Sequence, residues 1–164
     1  MSGSPRVGIV VGSQSDIAVM QRCGEVLDTY GIGWEIGVMS AHRASDIVRA
    51  YGLAAKDRGL EVLVAGAGAA AHLPGVLASL TTLPVIGVPL AATPLAGFDS
   101  LLSIAQMPPG IPVATVAVGE MGARNAAHLA AEIIGLSDTA VAEAILRERA
   151  RMRDAAKPPE GFSA

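Results

Sequence analysis

Five short apolar runs alternate with segments of helical pattern along this chain. The first run, Val7–Val11, is apolar throughout and leads into Gly12 and Ser13, which is typical of a strand buried on both faces. Parallel strands need long crossover connections, and the spacing between the runs leaves room for them. The pattern therefore constrains the chain to an α/β fold. The four further predicted strands are Trp34–Met39, Glu61–Ala65, Pro84–Val88 and Val113–Val118.

The segments between these runs predict helices. Apolar residues at helical spacing precede Gly31, which provides a stop. Further helices are predicted over 45–58 and 122–134, and Ser137 is expected to cap a last one. Strands that alternate with helices predict right-handed crossovers and a parallel sheet covered on both faces. We expect a three-layer, doubly wound, flavodoxin-like fold of about five strands with an extra C-terminal helix.

The composition predicts one domain that associates with copies of itself. We assign residues 1–136 to one α/β domain that carries the site and 137–156 to a helix that packs on this domain or on a neighbouring subunit. Residues 157–164 are expected to form a disordered tail. Hydrophobic residues make up 51% of the chain and charged residues only 16%, so a monomer would have few polar groups to cover its surface. We therefore expect a homo-oligomer with large apolar interfaces.

Charge and hydropathy exclude several kinds of partner. The net charge of −3 disfavours nucleic acid and anionic membranes. Residues 62–98 contain no charged side chain, but prolines and glycines divide them into pieces too short to span a bilayer. The apolar run before Gly12 is too short for a signal peptide. The single cysteine, Cys23, fits a reducing compartment and is expected to be a buried, inert thiol on the apolar face of a helix. We expect a cytoplasmic protein.

A first polar segment, Gly12–Asp16, joins a strand to the start of a helix. Backbone N–H groups and the helix dipole favour an anion there, and Ser13 and Ser15 would add hydroxyl donors. Asp16 lies too close to a bound phosphate to be its ligand, but it could accept hydrogen bonds from a ribose diol. Helix capping explains the same residue types equally well. The segment indicates either a nucleotide site or a simple cap.

A second polar segment, Ser40–Arg43, follows the second strand. Arg43 can grip a phosphate through its planar guanidinium, and His42 is the residue type best suited to moving protons near neutral pH. A His-Arg pair is often only surface. Because the carboxyl ends of parallel strands meet at one edge of a sheet, this pair would face the first segment, which favours a functional interpretation.

A third segment, Ala65–Ala71, is nearly devoid of side chains. Such a run lets the backbone close on a ligand and direct its amides at it, although tight helix–sheet packing would use the same residues. His72 follows directly. It would either donate to a backbone carbonyl or take part in catalysis.

Several chemistries are disfavoured by what the sequence lacks. His42, His72 and His128 do not have metal-ligand spacing, so no metal is predicted. His128 falls in an alanine-rich helix and is interpreted as structural. Lysine occurs only at Lys56 and Lys157, which disfavours Schiff-base chemistry and a Walker-type loop. Aromatic residues are too few to stack on a flavin. We expect no cofactor, and acid–base chemistry on a phosphorylated metabolite.

Together these motifs resemble the 5-(carboxyamino)imidazole ribonucleotide mutases of bacterial purine biosynthesis. The resemblance implies that a carboxylate moves from the exocyclic nitrogen of the ribonucleotide to the imidazole carbon, through release and recapture of carbon dioxide. It also implies an octamer that needs no ATP, biotin or metal. The resemblance covers residues 6–136 and rests on the segments Gly12–Asp16, Ser40–Arg43, Ala65–Gly68, Ala70–Gly75, Gly87–Pro89, Asp99–Leu101, Gln106–Pro108 and Gly110–Val113.

Site roles are implied by the same resemblance. Ser13 and Arg43 would hold the substrate phosphate, Asp16 the ribose hydroxyls, and His42 would be the general acid–base. Further substrate contacts are expected from Ser15, Ser40, Gly68, Ala69, Ala70, His72 and Leu73.

Two positions depart from the family pattern. Ala69 stands where the family usually has glycine, and a left-handed backbone there would cost about 1–2 kcal/mol with alanine. Ala44 replaces the threonine that commonly follows the His-Arg pair, so a helix-start hydroxyl is lost.

Two other functions remain open. Related enzymes carboxylate aminoimidazole ribonucleotide directly, although the form of the segment Ala70–Gly75 resembles the mutase type. A non-catalytic nucleotide sensor would use the same scaffold. A response-regulator receiver is disfavoured, because it needs an aspartate after the third strand and a lysine after the fifth, where this chain has Ala65 and Gly119.

Overall fold

The structure, a computed structural model, describes residues 4–157. Five parallel strands form its sheet. The strands are β1 (Val7–Val11), β2 (Trp34–Val38), β3 (Val62–Gly68), β4 (Val85–Leu90) and β5 (Ala114–Thr115). The helices are α1 (Ile17–Thr29), α2 (Ser45–Ala54), α3 (Leu73–Ala78), α4 (Phe98–Ala105), α5 (Glu120–Gly135) and α6 (Thr139–Asp154).

The strand order β2-β1-β3-β4-β5 confirms the predicted flavodoxin-like sheet. Val11, at the end of β1, pairs with Val38 on one side and with Gly66 on the other. The carboxyl ends of the three strands therefore lie side by side. In this strand order the crevice for ligands opens beyond β1 and β3, where the connections diverge.

Apolar cores lie on both faces of the sheet. Alternate residues of β1 point to opposite faces, so Ile9 belongs to one core and Val10 to the other. The first core packs beneath α1 and α5, and α6 joins it by burying Val141 and Ala144. The second core includes Leu77 of α3 and residues of α2 and α4. These are the three layers that the alternation of strands and helices predicted.

The fifth strand is shorter than the predicted Val113–Val118, because β5 pairs only over Ala114–Thr115. Gly87 and Pro89 both direct their carbonyls toward this part of the chain, accepting from Val116 and Gly119. Pro89 has no N–H group to donate on that side. The ladder between β4 and β5 therefore ends at the pair Gly87–Thr115.

Helices α3 and α4 fall in segments for which the sequence predicted no helix. Helix α3 has only six residues and carries Pro74 in its first turn and Gly75 after it, which masks a helical pattern. Helix α4 exposes Phe98, at 62%, and buries Ser100, so its side chains do not follow the usual pattern of a polar face toward solvent and an apolar face toward the core.

The sequence suggested Ser137 as the cap of α6, but the cap is Asp138. Its carboxylate accepts hydrogen bonds from the N–H groups of Ala140 and Val141. Arg6, beside the start of β1, donates to the same carboxylate. Asp138 therefore caps the helix and also bonds to Arg6. The local sequence pattern does not contain this contact with Arg6, so it could not distinguish Asp138 from Ser137 as the cap.

Three smaller expectations concern the thiol, the membrane and the tail. Cys23 is buried as expected, and burial raises its pKa to about 12. Between residues 4 and 157, no helix combines the length and the apolar character needed to cross a bilayer. The tail predicted to be disordered over 157–164 lies outside the described residues, except for Lys157.

Candidate active site

A cavity of about 270 Å³ opens beyond the carboxyl ends of β1, β2, β3 and β4. It contains the polar side chains that the sequence singled out on three separate loops. Ligands of such folds bind at this edge of the sheet. The lining residues are Gly12, Ser13, Ser15, Asp16, Ser40, Ala41, His42, Arg43, Ala67, Gly68, Ala69, Ala71, His72, Leu73 and Ala92.

The loop after β1 presents its hydroxyls to the cavity. The Oγ atoms of Ser13 and Ser15 lie 2.9 Å apart, and the Ser15 hydroxyl donates to Asp16 Oδ1 at 3.4 Å. Ser13 and Asp16 occupy the positions before a short 3₁₀ turn and before α1, yet neither side chain accepts a capping hydrogen bond there. The capping interpretation therefore fails for both, and their oxygens are available to a ligand.

Asp16 is half-buried at the cavity wall. Burial raises the pKa of its carboxyl, while hydrogen bonds from Ser15 and from the backbone of Ser13 act in the opposite direction. A carboxylate that has lost water gains more from hydrogen bonds that a ligand donates.

The loop after β2 is tied to the loop after β1 through Arg43. Its Nη2 atom donates to the carbonyl oxygen of Gly12 at 3.0 Å. A compact turn supports it, since the N–H of Ala44 donates to Ser40 O at 2.9 Å. Among residues 4–157, no carboxylate forms an ion pair with Arg43. Its charge is therefore free to attract an anion.

His42 meets the second histidine of the cavity. The Nε2 atom of His42 and the Nδ1 atom of His72 lie 2.8 Å apart, and the two rings meet edge to face at 79°. The sequence suggested a backbone carbonyl as the structural partner of His72, but its Nδ1 atom bonds to His42 instead. The strands β2 and β3 that carry the two loops are not neighbours, since β1 lies between them.

The loop after β3 forms the side-chain-poor wall. Ala69 has a left-handed backbone with φ of 53°, so the departure noted in the sequence does fall on a strained position. Gly68 is required by packing, because a Cβ there would lie 2.5 Å from the Cβ of Ala92. Ala70 does not line the cavity, and its carbonyl accepts a hydrogen bond from Ser103.

His128 and Ala44, two further residues discussed from the sequence, lie outside the cavity. His128, interpreted as structural, lies on α5 and shares a hydrogen bond of 2.6 Å with the hydroxyl of Tyr30. Ala44 occupies the cap position of α2 with no side-chain hydrogen bond, so this helix begins without the hydroxyl that a threonine would supply.

Sequence reasoning missed one lining residue, Ala92. It lies two residues beyond Leu90, the end of β4. The signal was present, because a fourth parallel strand must bring its carboxyl end to the same edge of the sheet. An alanine side chain carries no reactive group, so the sequence gives no chemical reason to single it out.

Comparison with known proteins extends over nearly the whole described chain. The sequence profile of the AIR carboxylase family matches residues 6–155. The chain belongs to this family.

Relatives within the AIR carboxylase family share about half of their residues with the chain. It is 51% identical over 151 residues to the N5-carboxyaminoimidazole ribonucleotide mutase of Pyrococcus abyssi, spanning 92% of this chain and 86% of that protein. The enzyme of the same name from Thermotoga maritima is 51% identical over 149 residues, spanning 91% and 86% of the two chains. The Vibrio cholerae enzyme is 50% identical over 145 residues, spanning 88% and 90%.

Two solved structures match the fold of this chain. The crystal structure of Treponema denticola PurE matches with a TM-score of 0.81 at 28% sequence identity, covering 92% of each chain. A substituted variant of PurE2 from the same organism matches with a TM-score of 0.81 at 27% identity. It covers 94% of this chain and 93% of that one.

Proposed function

We propose that this chain is a mutase that moves the carboxylate of 5-(carboxyamino)imidazole ribonucleotide from the exocyclic nitrogen to the imidazole carbon. The product is 4-carboxy-5-aminoimidazole ribonucleotide, an intermediate of purine biosynthesis. One observation carries the proposal: one small cavity holds a histidine, a loop with two serine hydroxyls, and an arginine that forms no ion pair with any residue between 4 and 157. That set matches a substrate with a phosphate, a ribose and one proton to move.

The substrate would lie with its phosphate between the first two loops. Ser13 and the backbone amides after β1 would donate to the phosphate, and Arg43 would neutralise it. Arg43 keeps further N–H donors beyond the one that Gly12 receives. Asp16, further along the same loop, would accept from the ribose hydroxyls.

His42 would move the proton at the imidazole end. The carbamate N–C bond breaks, carbon dioxide leaves, and the nitrogen takes a proton from the His42 imidazolium. The ring carbon then bonds to carbon dioxide, and neutral His42 removes the ring proton, which restores the imidazolium. No atoms or charges are gained from outside, so the step needs no ATP.

The third loop would confine the carbon dioxide. Gly68, Ala69 and Ala71 line the cavity without side chains that bind water. A dry wall of this kind slows both escape and hydration of carbon dioxide between the two steps. Ser40, His72 and Leu73 complete the surface that faces the base.

The test is conversion of freshly prepared 5-(carboxyamino)imidazole ribonucleotide by the purified protein without ATP, with and without added bicarbonate. The proposal requires rapid conversion at a rate that bicarbonate does not change. Carboxylation of aminoimidazole ribonucleotide that depends on bicarbonate would identify a direct carboxylase. Saturable binding of the nucleotide without either reaction would identify a sensor.

We also propose self-association, in the cytoplasm, as an octamer. The composition leaves apolar side chains on the surface, including Phe98 and Leu102 of α4 and Met121 of α5, which are exposed by 46 to 68%. Residues 1–136 would form the catalytic domain, and the exposed Leu146 of α6 would add to a subunit contact. Light scattering on the purified protein measures the mass, and a monomer at micromolar concentration would contradict this.

A further inference from the structure

His42 is the residue assigned to proton transfer, yet its own loop does little to hold its ring. It is exposed, and it follows β2, an outer strand of the sheet whose residues are only partly buried. Among residues 4–157, the ring makes one hydrogen bond, to His72. A freely rotating imidazole would spend part of its time with either nitrogen facing the cavity.

The backbone of His72 is held more firmly than that of His42. Its flanking residues Ala71 and Leu73 are 4% and 3% exposed and belong to the second core. Its carbonyl accepts from the N–H of Val76 at 3.0 Å, which makes it the first residue of the α3 turn. The contact between the rings therefore fixes a mobile side chain to a rigid element.

Only one donor–acceptor arrangement of the hydrogen bond between His42 and His72 is compatible with both charge states of His42. If His72 Nδ1 donated, His42 Nε2 would have to accept, and this bond would break whenever His42 became an imidazolium. If His42 Nε2 donates, the bond persists in both charge states, because Nε2 keeps its proton while the Nδ1 atom of His42 gains or loses one.

We propose, building on the function proposed above, that His72 is a positioning residue that accepts from His42 Nε2 and so makes His42 Nδ1 the nitrogen that exchanges the proton with substrate. His72 Nδ1 carries the lone pair, and its own proton resides on Nε2. A second cavity of about 270 Å³, lined in part by Ser79 and Ser103, also adjoins His72.

Three substitutions at His72 separate the positioning role from a merely structural one. His72→Asn places an amide oxygen near the position of Nδ1 and can still accept from His42. His72→Gln places its amide near the position of Nε2, and His72→Ala has no acceptor. Because His72 is exposed, all three variants should fold, which circular dichroism and thermal unfolding check.

We expect His72→Ala and His72→Gln to lower kcat by about 10- to 100-fold with KM changed by less than about threefold, because the proton carrier is misplaced while the phosphate and ribose contacts remain. His72→Asn should recover most of the loss. The proposal is overturned if the alanine variant keeps kcat within about twofold of the wild type. It is equally overturned if asparagine performs no better than alanine.

A measurement without substrate makes the proposal independent of the mutase assignment. Nitrogen-15 NMR of the histidine rings in the ligand-free protein should report His42 as the Nε2–H tautomer in the wild type and in His72→Asn. In His72→Ala the tautomers should mix. A wild-type His42 protonated on Nδ1 alone would refute the assigned direction, whereas failure of the wild type to convert substrate would refute the mutase function only.

Discussion

Arg43 donates a hydrogen bond of 3.0 Å to the carbonyl oxygen of Gly12, which links the loops that follow β1 and β2. The guanidinium therefore sits where an anion on the first loop would contact it. One N–H group serves the loop, and the remaining donors of the planar group point away from that carbonyl. Arg43 thus links the two loops and also places a positive charge in the cavity.

Replacing Arg43 with lysine should weaken substrate binding more than it slows the chemistry. An ammonium group cannot hold the Gly12 carbonyl and two phosphate oxygens in the fixed geometry of a guanidinium. We expect KM to rise at least roughly tenfold, with kcat changed by less than about threefold. Steady-state kinetics at constant ionic strength measure this. Arg49→Lys, an exposed position on α2, is the matched control, and equal KM values for the two variants would refute the assigned role.

Ala69→Gly should stabilise the protein. Alanine at φ of 53° costs about 1–2 kcal/mol, and part of the gain is offset by the greater freedom of glycine in the unfolded chain, so we expect a net gain of roughly 0.5–1 kcal/mol. Urea unfolding measures it. Ala70→Gly, in a residue without positive φ, should instead lose stability. If both substitutions destabilise to the same extent, the backbone at Ala69 is not strained.

Much of the sheet could be predicted because its signals are local. Val7–Val11 is an uninterrupted apolar run between Arg6 and Gly12, and its observed bounds equal the predicted ones. Failures occurred where a neighbouring element decides the outcome. The end of β5 depends on a missing N–H of Pro89 in the adjacent strand, and the α6 cap depends on Arg6, 132 residues away from Asp138.

In the candidate site, too, features set by local sequence could be predicted and contacts between distant segments could not. Sequence reasoning could place Ser13, His42 and Arg43 at one edge of the sheet, because strand ends in a parallel sheet share an edge. It could not pair His42 with His72, since no pattern within either loop specifies a contact across 30 residues. The left-handed backbone of Ala69 was likewise visible only as a possibility, because alanine is not the residue that this conformation favours.

Asp16→Asn should stabilise the ligand-free protein at neutral pH while weakening substrate binding. Burial raises the pKa of Asp16, so the ionised carboxylate is disfavoured in the folded state, and this penalty appears as pH rises through the ordinary aspartate range and above. Asparagine avoids it. The urea midpoint of the variant should exceed that of the wild type at pH 7, and the difference should shrink toward pH 4.

The loss of affinity in Asp16→Asn should be about 10- to 100-fold, the usual value of hydrogen bonds to a charged group. Calorimetric titration with the nucleotide product measures it. A less stable variant with unchanged affinity would contradict both the buried carboxylate and its role in binding ribose hydroxyls.

Asp138→Ala should destabilise the fold through the end of α6. The hydrogen bond from Arg6, followed by those from the backbone at Val141 and Ala140, lowers the pKa of Asp138, so its stabilising contribution is present at neutral pH and is lost as pH falls through the lowered pKa. We expect the melting temperature at pH 7 to fall by several degrees. Ser137→Ala, which removes only a weak bond of 3.4 Å to the Ile134 carbonyl, should have little effect. Equal losses would restore Ser137 as the cap.

In the proposed mechanism, His42 moves the proton while other residues hold the nucleotide. Turnover of 5-(carboxyamino)imidazole ribonucleotide by His42→Asn, with the dissociation constant of the same protein measured in parallel, tests it most directly. We expect His42→Asn to lose turnover by a factor of at least about 10³, with a dissociation constant within a few-fold of the wild type. Retention of a substantial fraction of wild-type turnover would contradict it.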